Sequence, residues 1–293
     1  MFVAVLSDKP ELREEFCKLM GKEITKENIG IYSVDNANKK IWLIDPINYP
    51  EKIQPLLYTL SMADLVVLLV RELTPKVGEL LVAVNSLKLD KGIIVSTASL
   101  PVGGTVLEKY DKVADQNAAK EKLLAASASA SENPFGLVYK TANMPSLGHV
   151  AYGALKGGKI KKQDKLYFLP ECKEVEVRSI QVDGNSIEEL VATSGFEMAY
   201  KGELVERGIL APLRHEFQIE NIVNGRFTKN PFYKDELKGK IHAYTNMQYV
   251  EGNLTDNDLT LSEPLAFEKG EMILVIDASN QKLRIAGVFQ SKW

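Results

Sequence analysis

The first hundred residues alternate between two hydrophobic periodicities. Continuous apolar runs of strand length, Phe2–Leu6, Asp64–Val70 and Gly92–Ser96, alternate with stretches whose apolar residues recur at helical spacing. The predicted helices are Glu11–Met20, Tyr49–Met62 and Pro75–Leu87, and Ile29–Val34 and Lys40–Ile44 form a predicted hairpin. Strands that alternate with helices at this pitch predict a mostly parallel sheet covered on both faces.

The pattern changes beyond residue 113. Ala118–Ala126 has helix-forming composition, and we interpret the small, polar run Ser127–Pro134 as a linker between domains. The helical period then disappears, and short strands recur about every 8–12 residues, as in small barrels and sandwiches. The predicted strands are Phe135–Lys140, His149–Lys156, Lys165–Leu169, Glu174–Val182, Ser186–Val191, Glu197–Tyr200, His215–Val223, Lys240–Tyr244, Met247–Leu254, Asp258–Leu261, Met272–Asp277 and Leu283–Phe289.

These patterns predict a multidomain α/β plus all-β protein. The expected boundaries are an α/β domain at residues 1–130, a β-barrel at 135–213 and a second β-barrel at 214–293, with Pro212 between the two barrels. A chain of 293 residues is long enough for two or three domains.

The amino-acid composition limits the classes of ligand and the cellular compartments that fit this protein. The 36 Lys and Arg residues against 39 Asp and Glu give a net charge of −3, which excludes the broad cationic surface of a non-specific nucleic-acid binder but allows a local basic patch. The two cysteines, Cys17 and Cys172, are far apart and form no disulfide framework. With no signal peptide and no apolar run near the ~18 residues of a membrane span, we expect a cytoplasmic protein.

Several motifs in the β region resemble the translational GTPase superfamily, most closely elongation factor Tu and its selenocysteine-specific relative. The resemblance implies a degenerate P-loop-type α/β domain followed by two small β-barrels, as in elongation factor Tu. The motifs that carry it are Gly148–Ile160, Asp164–Leu166, Val175–Gln181, Lys201–Gly202 and Glu206–Gly208 in the second domain, and Gly225–Thr228 and Leu261–Gly270 in the third.

The phosphate-binding loop of that family is missing from the first domain. At the matched positions Ser7 and Leu12 replace the two glycines, whose amides would cradle phosphate. Arg13 replaces the lysine, and Glu14 replaces the hydroxyl that holds magnesium. Four acidic residues, Asp8, Glu11, Glu14 and Glu15, would also place negative charge near a triphosphate.

Two further nucleotide motifs are degenerate. Asp45–Tyr49 keeps the magnesium-side aspartate of the family but lacks its glycine and histidine, and Ser96–Ser99 lacks the guanine-reading carboxylate. Asp45 alone also fits a strand-end or capping carboxylate. The loss of three motifs predicts that this domain neither binds GTP in the family manner nor hydrolyses it, so no GTPase activity is expected.

The sequence offers no replacement chemistry. The three histidines, His149, His215 and His242, lack the spacing of metal ligands, and Cys17 lies on the apolar side of its helix as a core residue. We therefore predict no catalytic residue, no cofactor and no metal site.

The resemblance implies that the two β domains hold transfer RNA. Arg226 and Thr228 match the family motif by position, whereas Phe227 replaces its histidine. Two basic clusters lie nearby in sequence: Lys156, Lys159, Lys161, Lys162 and Lys165, and Arg226, Lys229, Lys234, Lys238 and Lys240. From these, Lys159, Lys161, Lys162, Arg226, Thr228 and Lys229 are the candidate RNA-binding residues. Alternatively, the lysines protect barrel edges from pairing with other strands.

Three hypotheses follow. The first is a catalytically inactive, elongation-factor-like protein of translation that binds transfer RNA or another structured RNA through its β domains. The second is a scaffold or regulator that binds proteins of the translation machinery and contacts no RNA. The third, a GTP-binding factor with an unorthodox site, would need substitutes for every lost nucleotide contact.

Overall fold

The computed structural model describes residues 1–36, 39–128, 134–212, 217–237, 239–255 and 257–292. The chain divides into two compact units. The first unit comprises Met1–Ala128 together with the segments Lys229–Leu237 and Ile276–Gly287. The second unit comprises Ser129–Thr228, Lys238–Val275 and Val288–Trp293.

The N-terminal part of the first unit is a seven-stranded sheet with associated helices. The strands run in the order β2-β3-β4-β1-β5-β6-β7, and β1 is parallel to both β4 and β5. This confirms the predicted α/β class. The strands are β1 (Phe2–Leu6), β2 (Lys22–Lys26), β3 (Gly30–Asn36), β4 (Lys39–Asp45), β5 (Leu65–Leu69), β6 (Gly92–Val95) and β7 (Asp111–Val113); the helices are α1 (Pro10–Met20), α2 (Gln54–Met62), α3 (Pro75–Ser86) and α4 (Gln116–Ala125), with a 3-10 turn at Val106–Lys109.

Strand β1 lies inside this sheet, and all its residues are buried. Val3 is opposite Leu43 of β4 on one side and Leu65 of β5 on the other. Because parallel strands end at one edge, Ser7, Asp45 and the residues that follow β5 and β6 share the edge where α/β proteins bind their ligands.

The second unit contains two closed six-stranded barrels. In the first barrel β11, β16, β8, β9, β15 and β12 follow one another and β12 pairs with β11, while β10 and β14 form a separate two-stranded ribbon. The second barrel follows the order β17-β20-β19-β18-β21-β22, and a short part of its loops and of β22 belongs to the first unit. The strands are β8 (Phe135–Met144), β9 (Gly148–Gly157), β10 (Lys159–Lys161), β11 (Lys165–Leu169), β12 (Lys173–Val182), β13 (Asn185–Ile187), β14 (Glu189–Val191), β15 (Ser194–Lys201), β16 (Gly208–Ala211), β17 (Gln218–Lys229), β18 (Ile241–Thr245), β19 (Gln248–Leu254), β20 (Asp258–Phe267), β21 (Met272–Ile276) and β22 (Ile285–Ser291).

The glycines of the first barrel serve two different purposes. Gly158 has a φ of +59° in the turn between β9 and β10, as a turn glycine requires. Gly153 lies within β9, where an added Cβ would be 2.4 Å from the carbonyl oxygen of Leu137. Gly153 therefore permits close approach of two strands.

Some predicted elements differ from the structure. The strand predicted over Ser186–Val191 is divided between β13 and β14, and β17 continues to Lys229, beyond the predicted end at Val223. Most of the predicted linker and His215 lie outside the described residues. Among the described residues, no helix is long and apolar enough to cross a membrane.

Candidate functional site

The connection between β1 and α1 is short. Strand β1 ends at Leu6, and α1 begins at Pro10, whose fixed φ favours the first turn of a helix. The intervening residues include no glycine, and they leave little chain to wrap around a phosphate group. The first turn of α1 carries Arg13 on the face that is packed against the sheet.

Arg13 is fully buried, and each nitrogen of its guanidinium donates at least one hydrogen bond. Nε donates to Oδ1 of Asp45 at 2.6 Å, and Nη1 donates to the carbonyl oxygen of Ser7 at 2.7 Å. Nη2 donates to the carbonyl oxygens of Pro46 and Tyr49, each at 3.0 Å. A buried cation is tolerated when it is paired and hydrogen bonded in this way.

Asp45 is the last residue of β4, as expected for a strand-end carboxylate, and it is the counterion of Arg13. The exposed fractions of the two side chains are 0% for Arg13 and 4% for Asp45. Burial raises the pKa of Asp45 above its ordinary value, and the adjacent guanidinium opposes that rise. The carboxylate that the family motif assigns to the magnesium side is therefore engaged by a side chain of its own protein.

Two acidic residues in or just before α1, Glu14 and Asp8, have local partners. Glu14 lies 2.8 Å from Nζ of Lys18 and 2.7 Å from Nζ of Lys26, and these lysines lower its pKa to about 2. Asp8 accepts a hydrogen bond of 2.8 Å from the hydroxyl of Thr74, the N-cap residue of α3. Within the described ranges, no group of three or more His, Cys, Asp or Glu residues has the geometry of a metal site.

An open cleft of about 460 Å³ remains at the carboxyl ends of β5 and β6. Its polar wall includes Ser96, whose hydroxyl accepts a hydrogen bond from the amide of Ala98. It also includes Asp115, whose carboxylate accepts from two amides at the N-terminus of α4. The residues that line the cleft are Leu12, Leu69, Val70, Arg71, Val95, Ser96, Thr97, Ala114, Asp115 and Gln116.

These residues do not fit a nucleoside triphosphate with magnesium. A guanidinium already balances the charge of Asp45, and Glu14 stands where the motif needs a hydroxyl ligand. Among the described residues that line the cleft, the carboxylate is that of Asp115, and it caps helix α4. The arrangement can bury and fix a positive charge, but it lacks the amide cradle that phosphates require.

A second buried ion pair, which the sequence analysis missed, lies in the same unit. Glu79 of α3 is fully buried, and its carboxylate accepts from Nε of Arg284 at 3.0 Å, from Nη2 of the same guanidinium and from the Arg284 amide at 2.8 Å. The Tyr49 hydroxyl lies 3.3 Å from Oε1 of Glu79, and the Arg284 guanidinium lies 5.6 Å from the Tyr49 ring centroid. The sequence could have indicated this pair, because Glu79 lies on the apolar face of α3 and a buried carboxylate needs a partner of opposite charge.

Comparison with known proteins identifies the fold. No protein-family model matches the chain. The structure of translation elongation factor SelB from Methanococcus maripaludis, in complex with the GTP analogue GppNHp, matches with a TM-score of 0.83 and 19% identity over 100% of this chain and 79% of that one. The chain has the fold of the SelB-type translation elongation factors. This confirms the fold that the motif resemblance implied.

Two further solved structures and one sequence relative also match the chain. The apo form of the same SelB gives a TM-score of 0.79 at 17% identity, over 100% of this chain and 79% of that one. A bacterial selenocysteine-specific elongation factor, EF-Sec, gives 0.75 at 18% identity, over 99% of this chain and 58% of that one. An uncharacterized protein of Methanocaldococcus jannaschii is 26% identical over 299 aligned positions, which cover 92% of this chain and 94% of that protein.

Within this SelB-type fold, the three candidate lysines of the first barrel are paired with acidic residues. Lys159 and Lys161 of β10 lie 2.8 and 3.2 Å from carboxylate oxygens of Glu189 on β14. Lys162 pairs with Glu188. The antiparallel register places Lys161 directly opposite Glu189, so that the ribbon carries opposite charges side by side. These pairs reduce the positive charge that the lysines offer to a phosphate.

The other three candidates lie in or at the end of β17, in the second barrel. Arg226 and Thr228 are exposed and, being two residues apart in a strand, share one face. Nζ of Lys229 donates to the carbonyl oxygen of Asp235 at 2.7 Å and lies 5.5 Å from the ring centroid of Tyr233. The candidates therefore lie in two separate places: three in or next to strand β10 of the ribbon, and three in strand β17 of the second barrel.

His149, His242 and Cys17 lie in contacts that are typical of residues that stabilise a fold. Nδ1 of His149 lies 2.9 Å from the carbonyl oxygen of Gly202, and His242 stacks on Tyr249 with ring centroids 4.5 Å apart. Burial lowers the pKa of His242. Cys17 is fully buried in the core of the α/β domain, as predicted.

Proposed function

We propose that this protein is a translation-factor-like binding protein that works without bound GTP. The observation that carries the proposal is the buried Arg13–Asp45 pair, which fills the place where the family motifs assign phosphate and magnesium contacts. A triphosphate there would have to displace the guanidinium, and breaking a buried ion pair costs about 3–5 kcal/mol. The chain has no glycine amides at this position to offset that cost.

A nucleotide-binding measurement tests this proposal. We expect isothermal titration of the purified protein with GTP or GppNHp and magnesium to give no heat of binding. The SelB of Methanococcus maripaludis, whose complex with GppNHp is known, serves as the positive control under the same conditions. Magnesium-dependent binding of comparable affinity would overturn the proposal.

Structured RNA is the first candidate ligand, bound through the two barrels in the cytoplasm. Arg226 and Thr228 support this function because they are exposed on one face of β17 at motif-matched positions. The ion pairs of the β10–β14 ribbon allow a direct test of whether its lysines contact RNA. Replacing both partners, E188Q with E189Q, leaves Lys159, Lys161 and Lys162 uncompensated, so transfer RNA should bind more tightly at low salt if the ribbon faces RNA.

A protein scaffold is the second candidate, and two observations favour it. Two glutamates offset most of the positive charge of Lys159, Lys161 and Lys162, and Phe232 is 68% exposed on a loop that contains an internal hydrogen bond. An exposed, preorganised aromatic side chain is a common anchor of protein interfaces. Under this function, F232S should abolish recovery of the protein's partners in affinity purification, whereas I222S, at a second exposed apolar residue, and the E188Q/E189Q variant should not.

A further inference from the structure

The two buried ion pairs of the first unit meet at one short segment, Asp45–Glu51. Arg13 binds this segment from one side, through Asp45 and the carbonyl oxygens of Pro46 and Tyr49. From the other side, Arg284 lies over the Tyr49 ring and donates from Nη1 to the carbonyl oxygen of Glu51 at 3.3 Å. The segment is therefore held between two guanidinium groups.

Tyr49 is the residue common to both sides. It is fully buried; its backbone oxygen accepts from Arg13, and its hydroxyl donates to the carbonyl oxygen of Lys76 at 2.9 Å. The same hydroxyl lies 3.3 Å from Glu79, the counterion of Arg284. A shift of the Tyr49 backbone would thus move the ring and hydroxyl that line the Glu79–Arg284 pair.

We propose that the Arg13–Asp45 pair holds Asp45–Glu51 in the position that the Glu79–Arg284 pair requires, so that the segment Ile276–Gly287 stays docked on α3 with no nucleotide bound. In this arrangement Arg13 is a positioning residue for a segment that it does not contact. The coupling runs from the hydrogen bond of Arg13 to the Tyr49 backbone, through the Tyr49 side chain, to the contact of its hydroxyl with Glu79, and such a path of packed groups can transmit a change at one end to the other.

The docked segment depends strongly on Arg284. The amide of Arg284 donates to Glu79. Nζ of Lys76 on α3 also donates to the carbonyl oxygen of Gln281 at 2.9 Å, but this bond is exposed to solvent. The buried Glu79–Arg284 pair excludes water and is the stronger contact. Loss of its geometry should therefore free the segment locally. This inference goes beyond the proposed function, because it requires neither RNA nor a protein partner.

Hydrogen exchange on the full-length protein tests the coupling. We compare the wild type, R13M and F16A; Phe16 is equally buried on α1 but packs in the sheet core away from the network. We expect R13M to speed exchange of the Arg284 amide and its neighbours in residues 276–287 by about tenfold or more, and F16A to leave them unchanged relative to the rest of the domain. GTP with magnesium should not change exchange in the wild type.

Identical exchange patterns over residues 276–287 in R13M and F16A would overturn the coupling. If R13M fails to fold, R13K gives the same test, because one ammonium group cannot satisfy Asp45 and three carbonyl oxygens together. A result in which R13M frees the segment but the wild type binds GTP would overturn the proposed function while supporting the coupling. If instead R13M leaves the segment protected and the wild type binds no GTP, the coupling is overturned and the proposed function is supported. The two failures are therefore distinguishable.

Discussion

Nε of Arg13 lies 2.6 Å from Oδ1 of Asp45, and both side chains are removed from solvent. In the motif match these two positions carry the lysine that contacts phosphate and the aspartate on the magnesium side. Here they neutralise each other. The planar, multiply donating head group of Arg13 satisfies both the carboxylate and three surrounding carbonyl oxygens.

Replacing Arg13 should strongly destabilise the first unit. R13M leaves the Asp45 carboxylate buried without a counterion, for which we expect a loss of about 3–5 kcal/mol in the free energy of unfolding. Chemical denaturation measures it. The double variant R13M/D45N removes both charges and should recover part of the loss; an R13M protein as stable as the wild type would contradict the buried pair.

Glu79 should behave in the same way at the other end of the network. E79Q leaves the Arg284 guanidinium buried with a neutral partner, and we expect a loss of about 3 kcal/mol or more by denaturation. Lys76, which lies 3.7 Å from Glu79 but is partly exposed, provides the matched control. K76A should cost at most about 1 kcal/mol. If E79Q and K76A lowered the free energy of unfolding equally, the buried Glu79–Arg284 pair would contribute no more to stability than a partly exposed lysine does.

Stability should depend on pH through Glu271 in the second unit. Burial raises the pKa of Glu271 to about 7, against hydrogen bonds from Asn246 and from the amide of Glu268 that stabilise its charged form. Because the folded state holds this proton more tightly than the unfolded state, the contribution is complete below the ordinary pKa of 4.5 and is lost as the pH rises through about 7.

The expected loss from this carboxyl group is about 3 kcal/mol between pH 4.5 and 7.5. Denaturation midpoints at several pH values should therefore fall more in the wild type than in E271Q, which cannot ionise. Parallel pH profiles for the two proteins would contradict the assigned titration.

The proposed RNA binding should depend on Arg226 through a phosphate contact. R226A should weaken transfer RNA binding and lower the salt dependence of the affinity by about one unit of slope, as measured in a salt series. Lys112, an exposed lysine on the edge strand β7 of the α/β domain, provides a charge-matched control. A loss of equal size in K112A would indicate general electrostatics and not a site on β17.

The sequence predicted most of the fold because buried elements have strong patterns. The apolar runs of β1, β5 and β6 and the helical spacing of α1 and α3 are all in place. Strands β2 and β7 were missed because most of their residues are exposed, so that no alternation of apolar and polar positions marks them. Edge strands are held by backbone hydrogen bonds, which any residue can supply.

The candidate site was predictable only in part. Motif matching identified Arg13 and Asp45 as altered positions, but nothing in the sequence shows that they pair. Glu79 and Arg284 are separated by 205 residues, and no local pattern links partners at that distance. Pairing of the ribbon lysines with Glu188 and Glu189 likewise depends on strand register, which a single sequence does not fix.

Arg13 differs from a metal ion or a nucleotide in one further respect: it is covalently attached to α1. Its local concentration at Asp45 does not follow the amount of any solute in the cell, and it cannot be chelated or exchanged. The charge balance beneath α1 is thus set when the chain folds. Under the proposed function, the state of the first unit then follows the synthesis and degradation of the protein and not the cellular supply of GTP.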